Sequence, residues 1–431
     1  MICQSRKSFE EYLEGAENGD AADQTELALM YMEGTDGAPR DPGLAASWLK
    51  KASDAGDAKA RYNLSYLLSA GLGAPRDRAE SFRLLSLAAE AGFPAAEQNM
   101  ATLYILGESL PRNVDEALRW YRRAAGHGDL IAMYQLGVLH LQGTAGVAED
   151  PKLAAEYFRR AARGRLVDAQ YNLALMCYRG HGTVQDKPEA ARLFYEAGSR
   201  GNPAAQYNLA TMYESGEGFS EPDTEKALFW YREAARAGVV QAQRAAGFML
   251  LAGVGCEPDF DAAGAWLSKA AEAGDAGAAF LLGAMYEAGD GVDRDREAAF
   301  AWYREAGSRG DAEGAFRAAS MCLKEGFGDV PGASSEAVGF LELASGLGHP
   351  KAMSMLAGIL WGGAAAPRDR EKAMELWERA GALGDPDARF AYAEKILESP
   401  SDRESVDQAL EMLKELAAVG YPGAKEILGG F

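Results

Sequence analysis

Cysteine and histidine are both scarce, with four of each in 431 residues. Cys3, Cys177, Cys256 and Cys322 are too few and too irregularly spaced for a disulfide framework. His127, His140, His181 and His349 are scattered, and none forms H-E-x-x-H or pairs locally with a cysteine. That removes the usual sequence patterns for a zinc site or an activated thiol. No apolar run approaches the roughly 18 residues of a membrane-crossing helix. The N-terminal "MICQSRKSFEEYLEGAENGD" turns acidic before a signal-like apolar region can form, so a soluble cytoplasmic protein without membrane insertion is expected.

An excess of positive charge is also missing. The formal net charge is −20, which argues against a duplex nucleic-acid binder, and no nucleic-acid partner is expected. The acidity is uneven: 23 Lys/Arg stand against 28 Asp/Glu through residue 215, and 21 against 36 afterwards. A net charge leaves room for a local basic surface, and "RRAARGR" (Arg159 to Arg165) is one such run. Basic residues favour a helix C-terminus, so this run reads as a solvated helix end. "GLGAPRD" and "GEGFSEPD" lack the Lys-Ser/Thr ending and preceding strand of a phosphate loop, and they recur as turns.

What the chain has in abundance is repetition. "ARYNLSYLLSAGLGAPRDRAESF" from Ala60 returns as "AQYNLALMCYRGHGTVQDKPEAARLF" from Ala169 and as "AQYNLATMYESGEGFSEPDTEKALFW" from Ala205. With the aromatic of "YNL" as reference, the counterparts are Thr25, Tyr62, Gln98, Tyr134, Tyr171, Tyr207, Arg244, Phe280, Phe316, Ser354, Phe390 and Glu426. Their intervals are 36 to 38 residues. The organisation expected is a partial helical cap over 1–18, eleven repeats over 19–423 and a partial helix over 424–431.

Each repeat reads as two helices. In the first, apolar residues fall at helical spacing (Ala60, Leu64, Leu67, Leu68). An alanine two positions before the reference recurs from Ala60 to Ala424, where helix backbones should approach closely. Glycine nine positions after the reference, from Gly34 to Gly363, supplies a left-handed C-cap. The second helix opens on Asp41, Asp77, Asn113, Asp150, Asp186, Asp223, Asp259, Asp295, Asp369 and Ser405, all natural N-caps. Asp77 with Glu80, Asn113 with Glu116 and Asp186 with Glu189 have capping-box spacing, and Pro42 and Pro151 stand at N1. These acidic residues are caps rather than metal ligands: stacked helices advance by roughly 8–10 Å, far more than the separation of two oxygens on one ion. Alanine, a large apolar residue four on and alanine three further form the inner stripe, as in Ala117, Tyr121 and Ala124. Trp48, Trp120, Trp230, Trp266 and Trp302 share one column beside it, which reads as packing rather than a ligand cage. A single hairpin cannot bury its apolar face, so neighbours must stack. The fold expected is all-α, an α/α solenoid wound as a right-handed superhelix.

The pattern A-x-Y-N-L-A-x-M-Y-x-x-G-x-G, an Asp cap and K-A-L-x-W-Y-R-E-A-A, best seen from Ala205 to Ala235, resembles the Sel1-like repeat family. It is also similar to the tetratricopeptide repeat: Leu136, Gly137 and His140 match the first-helix signature, and Ala154, Phe158 and Ala161 the second. The connector is longer here, however, and the period is not 34. The resemblance implies a non-enzymatic scaffold or adaptor that holds one or more proteins or peptides on a curved surface, without a cofactor or metal. The alternatives are a β-lactamase-like hydrolase of the same fold, or a binder of a non-protein ligand such as a glycan. The relatives linked to β-lactams carry a regular cysteine pair per repeat, which this chain lacks.

Two irregularities point to candidate sites. Asn63, Asn99, Gln135, Asn172 and Asn208 form an amide column one residue after the reference, which ends at Ala245, Leu281 and Arg317. Such amides either clamp the backbone of an extended peptide or satisfy a neighbouring loop or helix. "KEGFGDVPGASSEA" enlarges one connector and shifts its glycine to Gly326. "LWGGAAAPRDR" places Trp361 where another begins, either as tolerated loop variation or as an aromatic anchor for a partner. Cys177 and Cys322 share a column otherwise filled by Tyr31, Tyr104, Tyr213 and Tyr286, and read as buried helix residues rather than nucleophiles.

Overall fold

The computed structural model describes residues 7–107, 110–144, 146–323, 333–363, 366–400 and 402–430. Gly326 and the connector around it, like Cys3, lie outside the described residues. Among the described residues there are twenty-four helices and no strand. The chain divides into two compact units, the first running to Leu209 with Glu217–Ser220 and the second formed by Ala210–Gly216 with the chain from Glu221 onward.

The first unit begins with α1 (Phe9–Glu17), α2 (Ala21–Glu33) and α3 (Pro42–Asp54). It continues through α4 (Ala58–Ala70), α5 (Arg78–Glu90), α6 (Pro94–Leu106) and α7 (Val114–Gly126). Then come α8 (Leu130–Gln142), α9 (Pro151–Arg163), α10 (Val167–Arg179) and α11 (Lys187–Gly198), and the unit boundary falls within α12 (Pro203–Ser215). The second unit carries α13 (Thr224–Arg236), α14 (Val240–Ala252), α15 (Phe260–Glu272), α16 (Ala276–Ala288) and α17 (Arg296–Ser308). It proceeds with α18 (Ala312–Leu323), α19 (Ala333–Gly346), α20 (Pro350–Gly362) and α21 (Arg370–Ala382). It closes with α22 (Pro386–Glu398), α23 (Arg403–Ala418) and α24 (Ala424–Leu428). In both units each helix packs mainly on the helices before and after it, the α-solenoid arrangement of stacked hairpins.

The hairpin follows from its punctuation. Asp41, Asp77, Asn113, Asp150, Asp186, Asp223, Asp259, Asp295 and Asp369 each accept a backbone N–H in the first turn of the helix they open. Ser405 departs from that expectation. Asp402 is the cap of α23, and Ser405 sits at its third position in a reciprocal capping box. The capping boxes expected at Glu80, Glu116 and Glu189 are not made. Each glutamate instead pairs with an arginine three residues on, Arg83, Arg119 or Arg192, at 2.7 Å. A charge-assisted bond to guanidinium outcompetes a reach back to one N–H.

Two glycines show how hairpins are held in register. Gly73 and Gly182 have φ of +70°, and a Cβ there would lie 1.9 Å from the Pro42 carbonyl oxygen and 2.1 Å from that of Pro151. Each loop therefore rests its glycine directly on the first turn of the preceding second helix. The alanine column is as close-packed as its spacing implies, fully buried from Ala60 through Ala205 to Ala388. Arginines add a second link: Arg123, Arg160 and Arg309 donate to carbonyls at the C-terminus of the preceding second helix (Ala89, Ala125 and Ala271). Each of those carbonyls already accepts the N–H of the loop glycine three residues on (Gly92, Gly128 and Gly274), so the arginine takes up remaining acceptor capacity at a negative helix end and links one repeat to the next.

The tryptophan column packs as expected. Trp120 and Trp230 are buried, and Trp48, Trp266 and Trp302 are half-buried. Basic side chains three residues on cover several rings, with Lys51 3.7 Å from the Trp48 centroid and Arg123 and Lys269 each 4.6 Å from Trp120 and Trp266. Cys177 is buried, and burial raises its thiol pKa. Cys322 is half-buried rather than fully buried; burial, with Glu336 nearby, pushes its thiol up to about 11.

Candidate functional site

The inner stripe of the second helix fills the space between the two helices of a hairpin. Tyr121, Phe158, Phe194, Tyr231 and Tyr303 occupy the large position and are buried. The reference aromatic of the first helix packs against that ring, as in Tyr134–Phe158 at 5.6 Å, Tyr171–Phe194 at 5.9 Å and Phe280–Tyr303 at 5.6 Å. In α5 the same position is Leu85, and it is only half-buried. The alanines that flank this contact elsewhere, Ala174 and Ala190 for instance, are here Ser65 and Ser81, joined by a 2.7 Å bond from the Ser81 hydroxyl to the Ser65 carbonyl. Tyr62 has lost its ring partner and turns to Phe93 in the following loop, 5.2 Å away.

The result is a recess of about 850 Å³ between α4, α5 and α6. Its apolar lining is Tyr62, Tyr66, Phe82, Leu85 and Leu103; Asn99, Thr102 and Arg76 stand among them. Tyr66 is 54% exposed, a large aromatic displayed at the rim. The polar groups are held in place. Arg76 Nε donates to the Ser69 carbonyl at 2.9 Å, and the Ser69 hydroxyl donates to the Tyr66 carbonyl at 2.8 Å. Thr102 and the Tyr121 hydroxyl lie 3.1 Å apart; burial raises the Tyr121 phenol pKa against that opposing bond. A recess that combines apolar walls with fixed polar groups accepts a side chain and orients what carries it.

Of the amides singled out in the sequence, only Asn99 lines this recess. All five are half-buried. Asn63, Asn172 and Asn208 donate from Nδ2 to the carbonyl four residues earlier, at 2.8, 2.9 and 2.7 Å. Asn99 and Asn172 also reach the tyrosine hydroxyl of the preceding repeat, Tyr62 and Tyr134, at 3.3 and 3.4 Å. An amide has two N–H donors, so Asn172 has used both and retains only its oxygen as an acceptor. Asn99 and Asn172 thus tie their repeats to the preceding ones. Trp361 lies in the last turn of α20 rather than on a loop. Its ring packs 5.7 Å from Trp377, with Arg370 at 4.8 Å.

Other residues that matter were not singled out by the sequence pattern. Glu97 is wholly buried, held by Arg123 Nε at 3.0 Å and His127 Nδ1 at 2.8 Å. Gln24, Gln206 and Gln243 are buried one position before the reference and donate to carbonyls at the C-terminus of the preceding second helix. In α18 and α20, His349 Nδ1 accepts from the Ala352 N–H, so Nε2–H faces Glu313 at 2.9 Å. Burial opposes ionisation of Glu313, but His349 and Arg317 outweigh it and hold its pKa below the usual range. Among the described residues no three His, Cys, Asp or Glu side chains stand together so as to hold a metal ion, and no helix is long and apolar enough to cross a membrane.

The Sel1 repeat profile matches ten consecutive segments, 21–57, 58–93, 94–129, 130–165, 167–202, 203–239, 240–275, 276–311, 312–349 and 350–385. A crystal structure of c5321, described as a protective antigen of uropathogenic Escherichia coli with an SLR fold, is similar at 25% identity and a TM-score of 0.85. That match covers 98% of this chain and 90% of c5321. A Sel1 repeat protein from Oxalobacter formigenes is 28% identical with a TM-score of 0.51, over 72% of this chain and 93% of its own. No curated protein matches. Ten contiguous matches spanning most of the chain, together with hairpins punctuated as described, show that it belongs to the Sel1 repeat family.

Proposed function

We propose that this protein is a non-enzymatic adaptor that binds an extended segment of a protein partner on the first-helix face of its first unit. An apolar or aromatic side chain of the partner sits in the recess between α4, α5 and α6. Sel1 and tetratricopeptide-like repeats generically bind protein partners, and the observation that carries the finer reading is the recess itself, where Leu85 is only half-buried at a position that a buried ring or a buried leucine fills in other hairpins. Buried aromatic anchors in such pockets dominate the energy of peptide and protein recognition. Asn99 at the edge, with Asn63, Gln135, Asn172 and Asn208 along the same column, supplies polar contacts to the partner's backbone. Trp361 is a second, separate candidate contact in the other unit. Burial raises the thiol pKa of Cys177 and Cys322, the opposite of the shift that activates a nucleophilic cysteine. Free Cys177, Cys256 and Cys322 fit a reducing, cytoplasmic setting.

The test is selection of a displayed peptide library on the wild-type protein, followed by titration of the selected peptides against Leu85→Tyr. That substitution introduces the tyrosine found at this position in α7, α13 and α17 and fills the recess. Affinity should fall by about tenfold or more while the fold is kept. Selected peptides that bind Leu85→Tyr as tightly as wild type would place recognition elsewhere.

A further inference from the structure

A second surface differs from the rest of this acidic chain. Between residues 151 and 202 there are nine Lys/Arg and five Asp/Glu, in a protein of net charge −20. Five of those arginines, Arg159, Arg163, Arg165, Arg192 and Arg200, line a groove of about 760 Å³ formed by the C-terminal half of α9, the loop after it, Gln170 and Leu173 of α10, and α11 with the turn that follows it. All five are exposed. Glu189 and Glu196 also line it, and both pair with Arg192. Among the described residues no carboxylate pairs with Arg159, Arg163, Arg165 or Arg200. Helix-end contacts account for only part of the cluster: Arg163 stands in the last turn of α9 and Arg200 donates to the Arg165 carbonyl, whereas Arg159 and Arg165 make neither contact through their side chains.

Arg165 is the more telling residue. At the matching place in other repeats the chain has a left-handed glycine: Gly56, Gly92, Gly128, Gly201, Gly238, Gly274 and Gly310, with φ between +83° and +98°. Arg165 adopts φ +67° at that place, and among the described residues Asp36 is the only other non-glycine with positive φ. A non-glycine residue is strained there. The glycine has moved one residue earlier, to Gly164, where a Cβ would lie 2.3 Å from Leu130. A strained backbone thus projects a cation into a groove that already holds four others, and strain of this kind collects at functional positions.

We infer that the α9–α11 groove is a docking site for a carboxylate-rich acidic segment of a protein partner. The inference rests on the adaptor reading for the class of partner, but not on the recess. Arginine forks suit carboxylates. The chain's overall negative charge repels a long polyanion, so a short acidic peptide fits better than nucleic acid.

The experiment is fluorescence anisotropy with the full-length protein and three labelled probes: a Glu-Gly-Ser repeat peptide, its Gln-Gly-Ser counterpart, and oligothymidylate. The glutamate peptide should bind, about tenfold more weakly after a shift from low to physiological salt, and the glutamine peptide should not. Arg159→Gln/Arg163→Gln should abolish binding. Arg165→Gly should weaken it severalfold while raising the unfolding temperature, a pairing that a purely structural arginine would not produce. Leu85→Tyr should leave glutamate-peptide binding unchanged, so failure of the recess and failure of the groove are read separately. Equal binding of both peptides, tighter binding of oligothymidylate, or wild-type affinity in Arg165→Gly would each overturn the assignment.

Discussion

Hairpins α4–α5 and α10–α11 have nearly the same sequence pattern, yet the large inner position is a half-buried leucine in one and a fully buried ring in the other. In α10–α11, Tyr171 packs on Phe194, and Ala174 and Ala190 let the helices meet. In α4–α5 those positions are Tyr62, Leu85, Ser65 and Ser81; the helices still pack against each other, with a recess of about 850 Å³ beside these residues. The caps, the C-terminal glycines and the loop glycines Gly73 and Gly182 are shared, and both hairpins hold their place in the stack. Stacking and filling are therefore separable. Backbone contacts between repeats build the array, and side chains within a hairpin decide whether it is solid or receptive.

The comparison can be broken first at what the hairpins share. Gly73→Ala and Gly182→Ala each force a Cβ onto a carbonyl in a left-handed backbone. Strain of about 1–2 kcal/mol adds to a clash of about 1–3 kcal/mol, and both hairpins should lose stability alike. Hydrogen exchange, which localises the loss in a repeat array, is the check; a loss at only one site would end the idea of a common stacking device. Next in size, Phe194→Leu removes the ring on which Tyr171 packs and should cost about 1–2 kcal/mol in urea unfolding. An unchanged midpoint would mean the ring is not what closes the hairpin. Leu85→Tyr should act in the opposite sense, adding roughly 0.5–1 kcal/mol while partner binding falls. A loss of stability would show the recess to be too constrained for a ring. Smallest is joint Asn99→Ala, Asn172→Ala and Asn208→Ala. Each lost hydrogen bond should cost about 0.5–1.5 kcal/mol, with the fold retained and peptide affinity weakened; unchanged affinity would remove the amides from recognition.

Much of the fold was legible because it is local. An Asp that accepts from its own first turn, a glycine that ends a helix, and alanines at contact spacing act within a few residues, and they recur often enough to be read. The errors were local as well. Ser405 lost the cap to Asp402, and three glutamates chose an arginine over a capping box, because competing partners within one turn differ little in energy. The site was less legible. The amide column could be seen, but not that Asn99 and Asn172 reach tyrosine hydroxyls in the preceding repeat. Leu85 fits the large apolar position of the inner stripe, and leucine at the equivalent Leu49 and Leu267 is completely buried. The residue type alone therefore did not announce a recess.

Composition and period determine by themselves that this chain is a row of helical hairpins, since propensity, capping and apolar spacing all operate inside one repeat. Only the tertiary structure decided where that row is incomplete and where charge gathers. A cavity is the difference between facing side-chain volumes from three helices, and the arginine groove draws on residues up to 41 positions apart. Neither is a property of any one stretch of chain.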